Sequence, residues 1–282
     1  MFDKKDFVRL LVTLIVLSGP GKAAQAFWFN LPKIDKMVLN YGGAENESLD
    51  PDKINILVWN IYKADRPSWT ADFQEMREGQ DIVVLQECTD EETILDSFFD
   101  HSGFSYQYAI SFQFKKDKVK TGTCTGSSVT PKHAWAVRSN YVEIAGFTPK
   151  ALLLTEYPLE GLKEKLLVIN IHALNSVPAF MLKNQLEQAT PFISNHQGPV
   201  LFGGDFNTWS FFKLWTVRKF MKKHALKEVD FPNGGERMRA SVTKMIIDYI
   251  FVRDLNYRDT HVWGDREGAD HRAMSGVFSY SK

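Results

Sequence analysis

Five apolar runs scattered along this chain each end on residues able to bind a divalent metal or hold a phosphate: Asn60, Glu87, His172, Asp205 with Asn207, and Asp270 with His271. Strand ends in open α/β sheets gather along one rim, so polar groups distant in sequence can converge on a single cleft. In GPVLFGGDFNTW, residues 198–209, a buried strand runs into two glycines, after which Asp205 and Asn207 occupy alternate positions and share a face. A carboxylate and a carboxamide so placed can position a water, a metal or a phosphate oxygen, and the glycines let the backbone approach a ligand closely. The same residues also suit an Asx-type turn leading into a helix after Ser210.

Asp270 and His271 put a carboxylate beside an imidazole just before a closing apolar run, an arrangement also compatible with an exposed turn. Asp248 interrupts the apolar MIIDYIFV, where an unpaired charge is costly, and His271 is its natural donor. An Asp that orients and charges a histidine gives a general base or an electrostatic partner for a transferring phosphoryl group. Asn60 in LVWNIYK and Glu87 in VVLQECTD stand where hydrophobes are expected, and a carboxylate beside carboxamide oxygens is the hard-ligand composition that suits magnesium or manganese. In LLVINIHALN, Asn170 and His172 alternate onto one face, as two groups addressing the same ester would. Singly, each residue reads equally well as a satisfied core polar group; their recurrence is the signal.

The elements that must position them follow from periodicity. Residues 54–59 (INILVW) and 81–85 (DIVVL) are continuous apolar strands. Between them Ser68 caps a short helix running toward Arg77, and Thr89 with Glu92 forms a capping-box pattern for a helix through about Phe99. Further strands are expected at 105–112, 122–129, 151–157, 166–171, 200–203, 245–252 and 273–278, with amphipathic helices at 179–194 and 211–224. Hairpins mixed with helical crossovers argue for two packed mixed sheets with outer helices.

Composition is ordinary for a globular chain of 282 residues, 44% hydrophobic and 24% charged, with net charge +0. One catalytic domain over residues 54–282 accommodates it. Lys4, Lys5 and Arg9, an apolar run over 10–17 that is too short to span a bilayer, and the small-residue triplet Ala24-Gln25-Ala26 read as a signal peptide over residues 1–26. The expected location is secreted or periplasmic; an uncleaved leader anchoring the chain at the inner membrane is the other reading. Losing those residues leaves a slightly acidic chain, which does not favour wrapping of duplex phosphates. Residues 27–53 read as an extension or linker. Cys88 and Cys124 either pair, as export permits, or remain two buried thiols; their spacing does not support a zinc cage.

With these segments in this order, the chain resembles the endonuclease/exonuclease/phosphatase superfamily, whose fold is that of deoxyribonuclease I, over roughly residues 54–278. LVWNIYK, GTCTGSSVTP, TPKALLLTEYPL and GPVLFGGDFNTWS are similar to its uncharacterised YafD-like bacterial branch. The resemblance implies an α/β four-layer αββα sandwich with two packed mixed β-sheets and a site at their shared rim. It implies Mg²⁺ or Mn²⁺ bound chiefly by Glu87, with Asn60 and Asp270 close by. His271, paired with Asp248, would act as base or stabilise the phosphorane; His172 would assist the leaving group or grip a phosphate oxygen. Asp205, Asn207 and Asn170 would orient nucleophile and phosphate. Cys124, Gly126 and Ala269 depart from the family's usual pattern.

The expectation is therefore a metal-dependent phosphoesterase, most readily a phosphodiesterase of nucleic acid or of a phospholipid headgroup, working as a monomer without a protein partner. A membrane-acting toxin and a non-catalytic binding module on the same fold are the alternatives. The apolar WSFFKLW, residues 209–215, reads first as a helix packed on a sheet and second as a membrane-facing surface.

Overall fold

A computed structural model describes residues 29–143 and 148–281; the leader expected over residues 1–26 lies outside them. Among the described residues, fourteen strands form two sheets. In chain order they are β1 (Phe29–Asn30), β2 (Val38–Gly42), β3 (Ile54–Asn60), β4 (Ile82–Thr89), β5 (Ser105–Phe114), β6 (Lys120–Ser127), β7 (His133–Arg138), β8 (Ala151–Pro158), β9 (Lys165–His172), β10 (Val200–Asp205), β11 (Lys227–Glu228), β12 (Asp248–Arg253), β13 (Leu255–Trp263) and β14 (Ala273–Tyr280). One sheet runs β1-β5-β6-β4-β3-β14-β13, with β2 also paired to β5; the other runs β11-β12-β10-β9-β8-β7. The helices are α1 (Trp69–Arg77), α2 (Glu92–Phe99), α3 (Ala179–Glu187), α4 (Thr190–Asn195) and α5 (Phe211–Lys223).

The apolar runs become central strands because both of their faces are covered. Ile54, Ile56 and Val58 of β3 meet Leu166 and Val168 of β9, Leu201 of β10 and Ile250 of β12 between the sheets. Leu57, Trp59, Val83 and Leu85 point the other way, onto Phe73 and Met76 of α1 and Ile94 and Phe98 of α2. Phe202, Tyr249 and Phe251 take the outer face of the second sheet beneath Leu182, Ile193, Val217 and Phe220. The order is helix, sheet, sheet, helix, the expected four layers.

Several elements differ from the sequence reading. Thr89 closes β4 and does not cap a helix; α2 begins after Glu91, whose carboxylate accepts the Thr89 hydroxyl. The helix expected over 179–194 is two, because Pro191 lacks the N–H a continuous helix needs and begins α4. β7 and β13 went unread because they are sheet edges: no residue of β7 is buried, and in β13 only Leu255 and Val262 are. Where it is described, the stretch read as an extension or linker belongs to the sandwich: β1 and β2 pair with β5, and Met37 is buried against Ala109, Ala151 and Leu153. Cys88 and Cys124 are free buried thiols, and burial pushes the Cys124 thiol well up. Gly126 is required because a Cβ there would come within 2.3 Å of the Tyr106 ring.

Gly204 is a tight point of the rim. Its φ is +137° and a Cβ would stand 2.1 Å from the Ile171 carbonyl oxygen on neighbouring β9. Gly204→Ala is expected to cost about 2 kcal/mol or more, because strain and a backbone clash combine. Urea unfolding at equilibrium measures it, and a change within experimental error would contradict the assigned conformation.

Candidate active site

β3 and β4 run parallel, as do β9 and β10, so all four deliver their C-terminal ends to the same rim; β12 and β14 start there because they run antiparallel to β10 and β3. In the register of the second sheet Asp205 lies opposite His172 on one side and Asp248 on the other. All three fall on the phase of their strands that faces the first sheet, where Leu201, Val168 and Ile250 also point. Asp248 is the first residue of β12, not an interior one.

Asp205 is the hub. Its Oδ2 accepts from Asn60 Nδ2 at 3.3 Å and Asn207 Nδ2 at 3.1 Å, and lies 3.6 Å from His172 Nε2. Its Oδ1 accepts the Asn207 backbone N–H at 2.8 Å. That is an Asx turn, and Asn207 follows it at φ +48°. The turn and the functional pairing are one arrangement. Ser210 then caps α5, its hydroxyl accepting from Lys213 N. Burial pushes the Asp205 carboxyl up to about 7, with Asp248 and Glu87 adding to the shift and His271 and the Asn207 amide opposing it.

His271 is fixed at both ends. Its Nδ1 lies 2.8 Å from Asp248 Oδ2, and its carbonyl accepts from Trp59 Nε1 at 3.1 Å. Burial pulls the imidazole down, but the charge and hydrogen bond of Asp248, with Asp205 and Asp270, outweigh it and raise its pKa to about 10. His172 goes the other way: burial, then Lys150, His271 and Lys63, hold it well below the usual imidazole range. One histidine is charged at neutral pH and the other is not.

Glu87 reaches the cleft by a break in the strand. Val83 and Leu85 face the helices and Gln86 faces inward, so strict alternation would send Glu87 outward. A register shift between Gln86 and Cys88 and a φ of +59° at Glu87 turn it into the cleft, with Oε1 3.8 Å from His172 Nε2. The cleft is about 1020 Å³, and Glu87, His172, Asp205, Asn207, Asp270 and His271 all line it. Asn60 is buried behind it, its Oδ1 accepting the Tyr62 N–H at 3.1 Å.

Oxygen donors for a hard cation are thus concentrated at one place. Asp248 Oδ1 is buried without a hydrogen-bond partner, and single ligand atoms of Asp205, Asp248 and His271 lie within 4.8 Å of one another. Glu87 and Asp270 add carboxylates from the cleft wall.

Asn170 corrects the sequence reading. It shares the inward phase of His172 but lies one pair deeper and is fully buried. Its Nδ2 donates to the carbonyls of Leu85 at 2.9 Å and Cys124 at 2.8 Å, and its Oδ1 accepts from Gln86 Nε2 at 2.8 Å. Such an amide has nothing left for a phosphate; it ties β9 to the opposite sheet. Residues not singled out beforehand include Gln86, Trp59 as the clamp on His271, and Tyr62, which follows Asn60 into the cleft wall in a run of positive φ through Ala64. Lys213 was also missed: it is fully buried, gives its Nζ to the Leu174 carbonyl at 2.9 Å, and burial lowers it to about 8. The signal for Lys213 was present, since it falls on the inner face of a helix otherwise lined there by Val217 and Phe220.

The pattern of the Endonuclease/Exonuclease/phosphatase family matches residues 57–271. A UPF0294 protein of Klebsiella pneumoniae is 30% identical over 240 residues, covering 82% of this chain and 84% of that protein. Among solved structures, an endonuclease/exonuclease/phosphatase from Beutenbergia cavernae superposes with a TM-score of 0.64 at 17% identity, over 82% of this chain and 72% of that one. The catalytic domain of human Nocturnin, solved with bound sulfate, gives 0.61 at 14% identity over 83% and 96%. At these identities the two structures establish the fold alone.

Asn170→Ala is expected to lower stability by about 2 kcal/mol or more, since two carbonyls between the sheets lose their donor. Chemical denaturation measures it. Unchanged stability with weakened phosphate binding would instead mark Asn170 as an anion ligand.

Proposed function

The chain belongs to the endonuclease/exonuclease/phosphatase family, in its YafD-like UPF0294 branch, and on that premise we propose that it hydrolyses a phosphodiester with the help of Mg²⁺ or Mn²⁺. Members of this family act on phosphoesters. The observation that carries the reading is the convergence of Glu87, His172, Asp205, Asn207, Asp270 and His271 on one cleft, with Asp248 buried behind His271.

Glu87, with Asn60 and Asp270, would hold the cation. Bound there, it would supply Lewis-acid polarisation of a phosphoryl group. His271 is assigned to charge and not to ligation through Nδ1, because that atom is committed to Asp248 Oδ2, while Asp248 Oδ1 stays free beside the cation site. His271 then presents a charged Nε2–H to a phosphoryl oxygen and stabilises the charge that builds up in the transition state. Asp205, raised by burial toward neutrality, takes the proton of the attacking water, while Asn207, its Nδ2 held by Asp205 and the Ala173 carbonyl, orients that water through its Oδ1. Neutral His172, at the same cleft wall, hydrogen-bonds the leaving oxygen. The N-terminal run read as a leader supports export as part of this proposal, to the periplasm or beyond.

The full chain should cleave bis(p-nitrophenyl) phosphate in Mn²⁺ or Mg²⁺, and stop in EDTA until metal is returned. Glu87→Ala and His271→Ala should each lower the rate by about 10²–10⁴, the range typical of removing a general acid–base or charge-stabilising group. Full activity in excess chelator, or a wild-type rate in either variant, would refute the assignment.

A further inference from the structure

Helix packing was the first explanation for the aromatic cluster after Trp209, and the structure overturns it. Phe211 is 71% exposed, Phe212 72% and Trp215 54%, all on the first turns of α5. The inner face of that helix is satisfied by Lys213, Val217, Phe220 and Met221, so these three rings have no place in the core. Trp209, two residues earlier, lines the cleft. Two other segments bring apolar groups to the same mouth. Val177 and Pro178 line it and lead into Phe180, 56% exposed; Val242, 89% exposed, lines it from the loop before β12.

Resting on the phosphodiesterase reading, the geometry points to a bilayer of anionic phospholipid as the surface on which this cleft works, and to a lipid phosphodiester presented in that surface as its substrate. The charge of α5 suits that partner: beside the buried Lys213 the helix exposes Arg218, Lys219, Lys222 and Lys223 and no acidic residue, with Arg218 paired to Glu228 and Lys223 to Glu187. Lys219 lies with its Nζ 4.8 Å over the Trp215 ring, the aromatic-and-lysine combination that seats at a headgroup boundary. Aromatic rings beside lysines also serve single-stranded nucleic acid, but there the rings form a stacking platform. Phe211 and Phe212 meet edge-on at 76°, and the apolar residues Val242 and Pro178 that line the cleft offer no π-face. The arrangement favours acyl chains over bases.

Sedimentation of the full chain with vesicles of equal parts phosphatidylethanolamine and phosphatidylglycerol tests the proposal. Wild type should pellet with them, more than with phosphatidylcholine alone. Phe211→Ser combined with Phe212→Ser, and separately Trp215→Ser, should reduce partition by about tenfold, given the apolar area each withdraws. Phe99→Ser, an exposed aromatic on α2 in the opposite outer layer, should change nothing. The α5 variants should keep the wild-type melting temperature and the wild-type rate on bis(p-nitrophenyl) phosphate while losing hydrolysis of the vesicle phospholipid. Glu87→Ala should lose hydrolysis but still pellet, which separates a failure of the catalytic reading from a failure of this one. Wild-type partition in the α5 variants would overturn the proposal, as would partition carried equally by neutral vesicles. Loss of oligonucleotide binding in place of vesicle binding would overturn it in favour of nucleic acid.

Discussion

The carboxylate of Asp205 is the point at which the two sheets and the cleft become one structure. It is buried, so its charge is costly unless donors surround it. Two of those donors, the side-chain amide and backbone N–H of Asn207, come from its own turn, and a third, the Asn60 amide, comes from β3 in the facing sheet. Neighbouring strands place His172 and Asp248 beside it by register alone. A one-residue slip of β10 against either neighbour would invert the inward phase and leave the acid facing the helices. The extended apolar pairing below the rim, in which Leu201 and Phe202 take opposite faces, is what prevents that slip.

A second tie lies one layer deeper. Gln86 and Asn170 bridge the sheets through side-chain amides, with the Leu85 and Cys124 carbonyls as acceptors. Polar groups at that depth are tolerated only because each is satisfied. The consequence for the site is rigidity where the strands end. On that base β4 can carry the bulge and the positive φ that turn Glu87 into the cleft, a conformation a free strand would relax.

Much of this was legible in the sequence, and the failures have definite causes. Apolar runs ending in Asn60, Glu87, His172 and Asp205 marked one rim because parallel strands deliver their ends together, and an acid in MIIDYIFV marked the His271 pair because a lone buried charge is expensive. Alternation went wrong at two places in opposite senses. It put Asn170 beside His172 correctly, yet phase says nothing of depth, and two residues along a strand separate the cleft from the interior. For Glu87 the sequence identified the residue, but alternation alone would face it outward, since a bulge leaves no mark in residue types. The strands β7 and β13 escaped because edge strands need not alternate, and Phe211, Phe212 and Trp215 were misread because hydrophobicity does not reveal whether a neighbouring surface exists to bury it.

The electrostatics of the cleft connect its chemistry to its setting. Glu87, Asp205 and Asp270 line the wall and Asp248 lies behind it, with His271 as the charged counterpart. On the proposed function, a phosphodiester anion entering such a space would meet several carboxylates, and a divalent cation held among them would offset that charge. The chain as a whole offers little help, since its net charge is +0 and long-range attraction of phosphates is weak. Affinity must then come from the surface next to the cleft. There α5, which follows the cleft-lining Trp209, exposes apolar rings and lysines while its buried Lys213 grips the Leu174 carbonyl just beyond β9. The same helix is thereby anchored to the rim on which the polar side chains converge and exposed on its other face.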